Sequence, residues 1–312
     1  MSRKHEKYER LIAYCKTLPP VPTAVAYPCD EPSIQGAMDA ARLGLIAPIL
    51  VGPEARIRAE ASAHNIDLDG ASIVDVAGIE PAAAAAVALV REGKAEALMK
   101  GSLHTDELMS AVVNRETGLR TRRRISHCFV MDVPNHAQAL IVTDGAVNIA
   151  PTIEDKVHII QNAIDLAHAL RQEEVHVAIL SAMETVNPKL VSTMEAAALC
   201  KMADRGQITG ASVDGPLALD NAISPEAARI KKINSPVAGR ANVLVAPDLE
   251  AGNMLAKSLS FLADADAAGI VLGARVPIIL TSRADNLTTR LASCAVAVLI
   301  AKWRRDRIAK GA

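Results

Sequence analysis

Short aliphatic runs alternate with helix-length stretches along almost the whole chain, and Gly, Pro, Asp and Asn punctuate the joins. The runs 23–27 (TAVAY), 47–52 (APILVG), 71–77 (ASIVDVA), 96–101 (EALMKG), 127–133 (HCFVMDV) and 139–144 (ALIVTD) read as strands. Continuous apolar strands separated by helical segments are the pattern of parallel sheets covered on both faces. Residues 81–93 (PAAAAAVALVREG) have helix propensity throughout, a Pro in the first turn and a Gly stop.

From Thr143 the pattern restarts. Helices are expected over 151–170, 187–204 and 250–265, strands over 175–183, 208–215, 242–248, 269–274 and 277–282, and a terminal helix through Trp303. The expectation is an α/β protein of two lobes with mainly parallel sheets and a cleft between them. Its first lobe would take residues 1–139, completed by 276–312, and its second 140–275. At 312 residues the chain exceeds a single core of about 100 to 200 residues and fits two modest domains.

Composition narrows the partners. Half of the residues are hydrophobic and 22% are charged, enough for a packed interior. Acids and bases nearly cancel, 35 against 34, and aromatic residues make up 2%, so neither a basic surface nor stacking platforms for nucleic acid are present. The N-terminus is charged and amphipathic, and no run reaches the roughly 18 apolar residues of a membrane span. A cytoplasmic protein with no membrane partner is expected. Cys15, Cys29, Cys128, Cys200 and Cys294 are scattered, without zinc or disulfide spacing, and read as reduced thiols. No metal site emerges from the eight histidines either.

In open α/β sheets, ligands gather beyond the carboxyl ends of strands. Six such segments mix Gly or Pro with hydroxyl, carboxylate or amide groups: 99–106, 142–152, 180–188, 212–222, 245–253 and 280–286. Taken singly, Asp144, Asp214 and Asp248 could cap helices or turns, and Gly101, Gly145, Gly215 and Gly252 could permit turns or admit an anion to the backbone. Dinucleotide, nucleoside-triphosphate and nucleophile-elbow motifs are absent.

Four arginines, Arg120, Arg122, Arg123 and Arg124, crowd five positions before an apolar strand. They cannot all be buried unpaired, so some face water or an anion, and a solvated loop with surface ion pairs accounts for two or more of them. If the segment is extended, Arg120, Arg122 and Arg124 share one side. A guanidinium fork matches phosphate oxygens, which makes the run a candidate clamp for a phosphorylated ligand. A second cation arrives with a hydroxyl in Ser282–Arg283, just ahead of the last helix.

The ordered segments MKGSLHTDELM, GLRT…ISHCFVMDVP, TDGAVNIAPT, SAMETVNPKL, VDGPLALDNAI, VLVAPDLEAGNMLAKSL and GIVLGARVPIILTSRADN resemble the phosphate acetyl/butyryltransferases, or phosphotransacetylases. The likeness runs from about Lys100 to Ala301 and is particularly near the phosphotransacetylase half of bifunctional enoyl-CoA hydratase/phosphate acetyltransferases. It implies a fold like that of isocitrate and isopropylmalate dehydrogenases, a homodimer, and transfer of an acyl group between CoA and phosphate in a ternary complex, with no resident cofactor. Acetyl-CoA, phosphate and acetyl phosphate are the implied ligands. Ser282 and Arg283 match the family's reacting pair. Arg120 is the implied second anion contact, with Arg124 beside it, and Lys100, Gly101, Ser102 and His104 line the same mouth. Asp214 and Asp220 stand in matching motifs of the second lobe. Acetyl-specific members carry a carboxylate where this chain has Thr289, and an arginine near Ala111, so Asp285 or Asp144 is the expected aid to the thiol. Butyryl or branched acyl groups remain an alternative, as does a non-catalytic acetyl-CoA-sensing module.

Overall fold

The computed structural model describes residues 6–134, 136–280 and 285–310. Its strands are β1 (Val21–Ala26), β2 (Ile46–Gly52), β3 (Ser72–Asp75), β4 (Ala97–Lys100), β5 (Ser126–Asp132), β6 (Leu140–Thr143), β7 (His176–Leu180), β8 (Ser212–Leu217), β9 (Val243–Val245), β10 (Asp266–Leu272) and β11 (Ile278–Ile279). The helices are α1 (Glu6–Cys15), α2 (Glu31–Arg42), α3 (Glu54–Ala63), α4 (Ile79–Arg91), α5 (Thr105–Val113), α6 (Ile153–Ala169), α7 (Val191–Asp204), α8 (Leu219–Ile223), α9 (Pro225–Ile230), α10 (Leu249–Leu262) and α11 (Leu287–Ala309).

The chain forms two compact units, one of residues 6–123 with 268–310 and one of 124–267. It passes between them at Arg123–Arg124 and Ala267–Ala268, earlier than the 139/140 and 275/276 boundaries that the strand pattern suggests. The reason is pairing: β5 is hydrogen-bonded antiparallel to β6, with Cys128 opposite Thr143, and so packs with the strands that follow it.

In the first unit the sheet order is β3-β2-β1-β4-β11-β10, parallel except for β10, which runs antiparallel to β11. All four residues of β4 are buried, as a strand covered on both faces requires. The interior is aliphatic, with Ile34, Met38, Leu50, Ile57 and Leu98 sealed from solvent. Helix α11 is buried from Leu291 to Ala301 and packs on α1, α2 and β11, which fastens the returning C-terminal segment to this unit. Burying that many methyl groups is the main favourable term holding it there.

In the second unit the order is β5-β6-β9-β7-β8, parallel apart from β5. Its helices start where the sequence places acceptors for free N–H groups. Thr152 accepts from Asp155 N at 3.2 Å, and Asp155 accepts from Thr152 N at 3.1 Å, closing a capping box on α6. Asp248 accepts from Ala251 N at 2.8 Å and caps α10, the bland role open to it from sequence.

Candidate active site

In the first unit, the strands β1, β4 and β11 deliver their carboxyl ends side by side. Gly101 and Ser102 follow β4 directly, and their N–H groups donate to Ala26 O and Tyr27 O at 2.9 Å each. A Cβ on Gly101 would stand 2.4 Å from Ala26 O and 2.6 Å from Tyr27 O, so only glycine lets the two strand-end loops touch. Ser102 Oγ donates to Tyr27 O at 2.8 Å and accepts from Cys29 N at 3.1 Å. The hydroxyl therefore stitches the β1–α2 loop to the β4–α5 loop. Tyr27 turns there with φ 52°, in the left-handed region.

Lys100 is buried, and its ammonium donates to Gly101 O at 3.2 Å and Leu103 O at 3.3 Å. His104 is exposed just ahead of α5, with its N–H held by Glu107 Oε2 at 2.6 Å. Ile279, the last residue of β11, pairs with Met99, one residue before Lys100. Ser282 and Arg283 lie outside the described residues. Asp285 is half-buried, next to Asn286, which caps α11 by accepting from Thr289 N at 2.8 Å.

Arg120 is elsewhere in this unit. Its backbone bridges Ala274, and Leu119 O accepts from Arg275 N at 2.9 Å, beside the turn between β10 and β11. Since Val271 is opposite Ile278, that turn is at the amino-terminal end of β11, whereas Lys100, Gly101 and Ser102 follow the carboxyl end of β4. The two groups thus lie at opposite ends of the neighbouring strands β4 and β11. Sequence alternation could not separate them, because the register of a distant hairpin sets the difference.

In the second unit the carboxyl end of β6 holds a buried polar cluster. Asp144 is 3% exposed; its Oδ1 accepts from Ala146 N at 2.9 Å and Val147 N at 3.0 Å, and its Oδ2 from Asn148 Nδ2 at 2.6 Å. Longer contacts of 3.3 Å reach Oδ2 from His127 N and Asn148 N. Five donors satisfy the carboxylate where it is, which favours a role in folding the 144–148 turn. Arg124 Nε donates to Asn148 Oδ1 at 2.8 Å, and its Nη1 lies 3.3 Å from Asp155 Oδ1.

His127 is 1% exposed and stacks edge-on against Phe129, 4.3 Å between ring centroids. Burial pushes its pKa down to about 4, partly offset by the Asp144 charge, so the ring is neutral near pH 7. Its Nδ1 has no partner among the described residues. Neither His127 nor Asn148 is singled out in the sequence: His127 falls in the expected strand 127–133, and the only signal of Asn148 is membership of the strand-end segment 142–152.

Asp214 is inside β8, opposite Ala178 of β7, and accepts from Gly215 N at 2.8 Å. Asp220 is exposed in the first turn of α8, 3.2 Å from Lys231, whose hydrogen bond pulls the carboxyl below its usual range. Lys231 also pairs with Glu184 at 3.2 Å, and Asn221 Nδ2 donates to the same carboxylate, tying the β7–α7 loop to α8. All five cysteines are free thiols. Burial pushes Cys29 up to about 11 and the other four to about 12, so none is a thiolate at neutral pH. Among the described residues no group of three or more His, Cys, Asp or Glu side chains is placed to hold a metal ion, and no helix is long and apolar enough to cross a membrane.

Across this arrangement of strand-end loops, the family model for phosphate acetyl/butaryl transferase matches residues 77–298. The chain belongs to this family. A phosphate acetyltransferase of Rhizobium meliloti is 65% identical over 299 residues, covering 96% of this chain and 95% of its own. A phosphate butyryltransferase of Clostridium acetobutylicum is 40% identical, covering 95% and 98%. Among solved structures, a branched-chain phosphotransacylase from Enterococcus faecalis V583 superposes with a TM-score of 0.79 at 30% identity, over 90% of this chain and 99% of that one.

Proposed function

We propose that this family member is a phosphate acetyltransferase, which interconverts acetyl-CoA and phosphate with acetyl phosphate and CoA, and that it works as a cytoplasmic homodimer without a resident cofactor. The observation that carries this reading is the 65% identity, over 96% of the chain, to a phosphate acetyltransferase. That likeness takes in the whole set of strand-end loops from Lys100 to Asn286.

A phosphate oxygen attacks the thioester carbonyl carbon, an oxyanion forms, and the C–S bond breaks to release CoA as thiolate, which takes up a proton. In reverse, the thiolate attacks acetyl phosphate and the C–O bond to phosphate breaks. Free thiols have a pKa of about 8.5, so the reverse step needs help in forming thiolate, and the oxyanion and departing phosphate need preorganised donors. Ser282 and Arg283 are assigned to the reacting centre. Lys100 supplies a buried cation in the first unit, and Arg124 a half-exposed guanidinium in the second. Arg120 and Arg124 are both assigned as anion contacts; the Arg124 guanidinium is held through Nε by Asn148, and the Arg120 backbone by its bridge to Ala274. Asp285 is assigned as the aid to the thiol, and Asp144, with its full set of donors, as the organiser of its turn. His104, Asp214 and Asp220 are kept as substrate-side residues of secondary weight. Gly101 and Ser102 shape the loop they occupy.

The thiols support direct transfer, since five cysteines held well above neutral pKa offer no nucleophile for an acyl-cysteine intermediate. A panel of acyl-CoA donors from acetyl to butyryl, with acyl phosphate measured as product, tests the reading. Acetyl-CoA should be turned over most efficiently, and Arg283→Ala should lower the rate by orders of magnitude. A preference for butyryl or branched donors would move the assignment to the other branch of the family. CoA binding without phosphate exchange would favour a sensing module instead.

A further inference from the structure

We propose that Asn148 is a positioning residue for phosphate: its side-chain amide links the Asp144 carboxylate to the Arg124 guanidinium and aims the outer edge of that guanidinium at the anion. The proposal rests on the phosphate acetyltransferase reading for what the anion is. All three residues belong to the second unit, at the carboxyl end of β6.

The orientation of the amide is dictated by chemistry. An ionised carboxylate only accepts, so the Asn148 group facing Asp144 at 2.6 Å is the Nδ2 donor. The second Nδ2 hydrogen goes to Ile125 O at 2.9 Å. Oδ1 is then left to face the other way, where it accepts from Arg124 Nε at 2.8 Å. Asn148 is 3% exposed, so water does not compete for these contacts. Donation runs in one direction, from guanidinium to amide to carboxylate, and the carboxylate is pinned by the backbone N–H groups of Ala146 and Val147.

Arg124 is held by its Nε and by Nη1 near Asp155, while its side chain stays 52% exposed. Its backbone carbonyl accepts from Asn162 Nδ2 at 2.9 Å, which fixes the main chain beneath the side chain. The remaining N–H groups therefore face outward in a fixed plane, the geometry that a phosphate dianion accepts from a guanidinium fork. Asp155, 3.3 Å from Nη1, offsets part of the charge, while the intervening amide lets Asp144 orient the guanidinium through Nε without adding a second direct ion pair.

The test is a double-mutant cycle on the full-length enzyme, read as the KM for inorganic phosphate with acetyl-CoA as co-substrate, and in parallel as calorimetric titration with inorganic phosphate alone. Arg124→Ala and Asn148→Ala should each weaken phosphate by about tenfold, and the double variant should be no worse than Arg124→Ala. Arg124→Lys keeps the charge at a half-exposed position but lacks Nε; its phosphate affinity should be low and indifferent to the residue at 148. Additive losses in the cycle, or full phosphate affinity in Asn148→Ala, would overturn the proposal. If the wild-type enzyme forms no acetyl phosphate, the functional reading fails by itself, and the phosphate titration still decides the role of Asn148.

Discussion

The carbonyl oxygen of Asp144 lies 2.3 Å from where a Cβ on Gly252 would sit. The β6–α6 loop and the first turn of α10 are thereby pressed backbone to backbone, and Asn253 Nδ2 adds a hydrogen bond to Gly145 O at 2.9 Å. A methyl group there must displace the Asp144 turn. Gly252→Ala should destabilise the enzyme by about 1–3 kcal/mol and impair phosphate binding together with it, checked by thermal melts and phosphate KM on one preparation.

Lys156 of α6 and Glu195 of α7 form a largely buried ion pair, with 4% and 19% of their side chains exposed. Removing one partner strands the other charge. Glu195→Ala should cost about 3–5 kcal/mol, whereas Lys156→Met/Glu195→Leu should be milder. Denaturant midpoints at constant slope measure both.

The neutral His127 makes stability depend on pH. Its folded pKa, about 4, lies below the ordinary 6.5, so the unfolded chain binds the proton more readily in that interval. The imidazole's contribution is complete above pH 6.5 and is lost as pH falls toward 4, by roughly 3 kcal/mol at most. His127→Gln should flatten this part of the acid limb in unfolding curves measured between pH 7 and pH 4.

The five thiols should be inert in the native enzyme. Iodoacetamide at neutral pH is expected to leave activity intact and to label the cysteines only once denaturant is added, with mass spectrometry as the readout. Rapid native labelling with parallel inactivation would contradict the burial and pKa directions given for them.

Much of the fold is legible along the chain because parallel strands buried on both faces leave uninterrupted apolar runs, as in 96–101 and 139–144, and helices leave caps such as Asp248. β5 and β10 are legible as strands but not as antiparallel ones, since a buried strand carries no mark of its direction. Misplacing the unit boundary follows from this, as β5 goes with its partner β6. Among site residues, the sequence groups Arg120 with Arg124, yet the bridge to Ala274 puts Arg120 beside the β10–β11 turn while Asn148 ties Arg124 to the end of β6. Asp144 looks like a candidate acid or base until its five donors are seen. Asn148 gives almost no signal, because a neutral amide becomes informative only once its two neighbours are known.

The basic run therefore divides. All three of Arg120, Arg122 and Arg124 are exposed, and Arg124 is the one whose guanidinium is tied to the buried Asn148.

Acetyl transfer between CoA and phosphate is read without intermediates as CoA thiol released from acetyl-CoA while phosphate concentration is varied. Release should be saturable and phosphate-dependent, matched mole for mole by acetyl phosphate. Thiol release independent of phosphate, or none at all with acetyl-CoA bound, would contradict it.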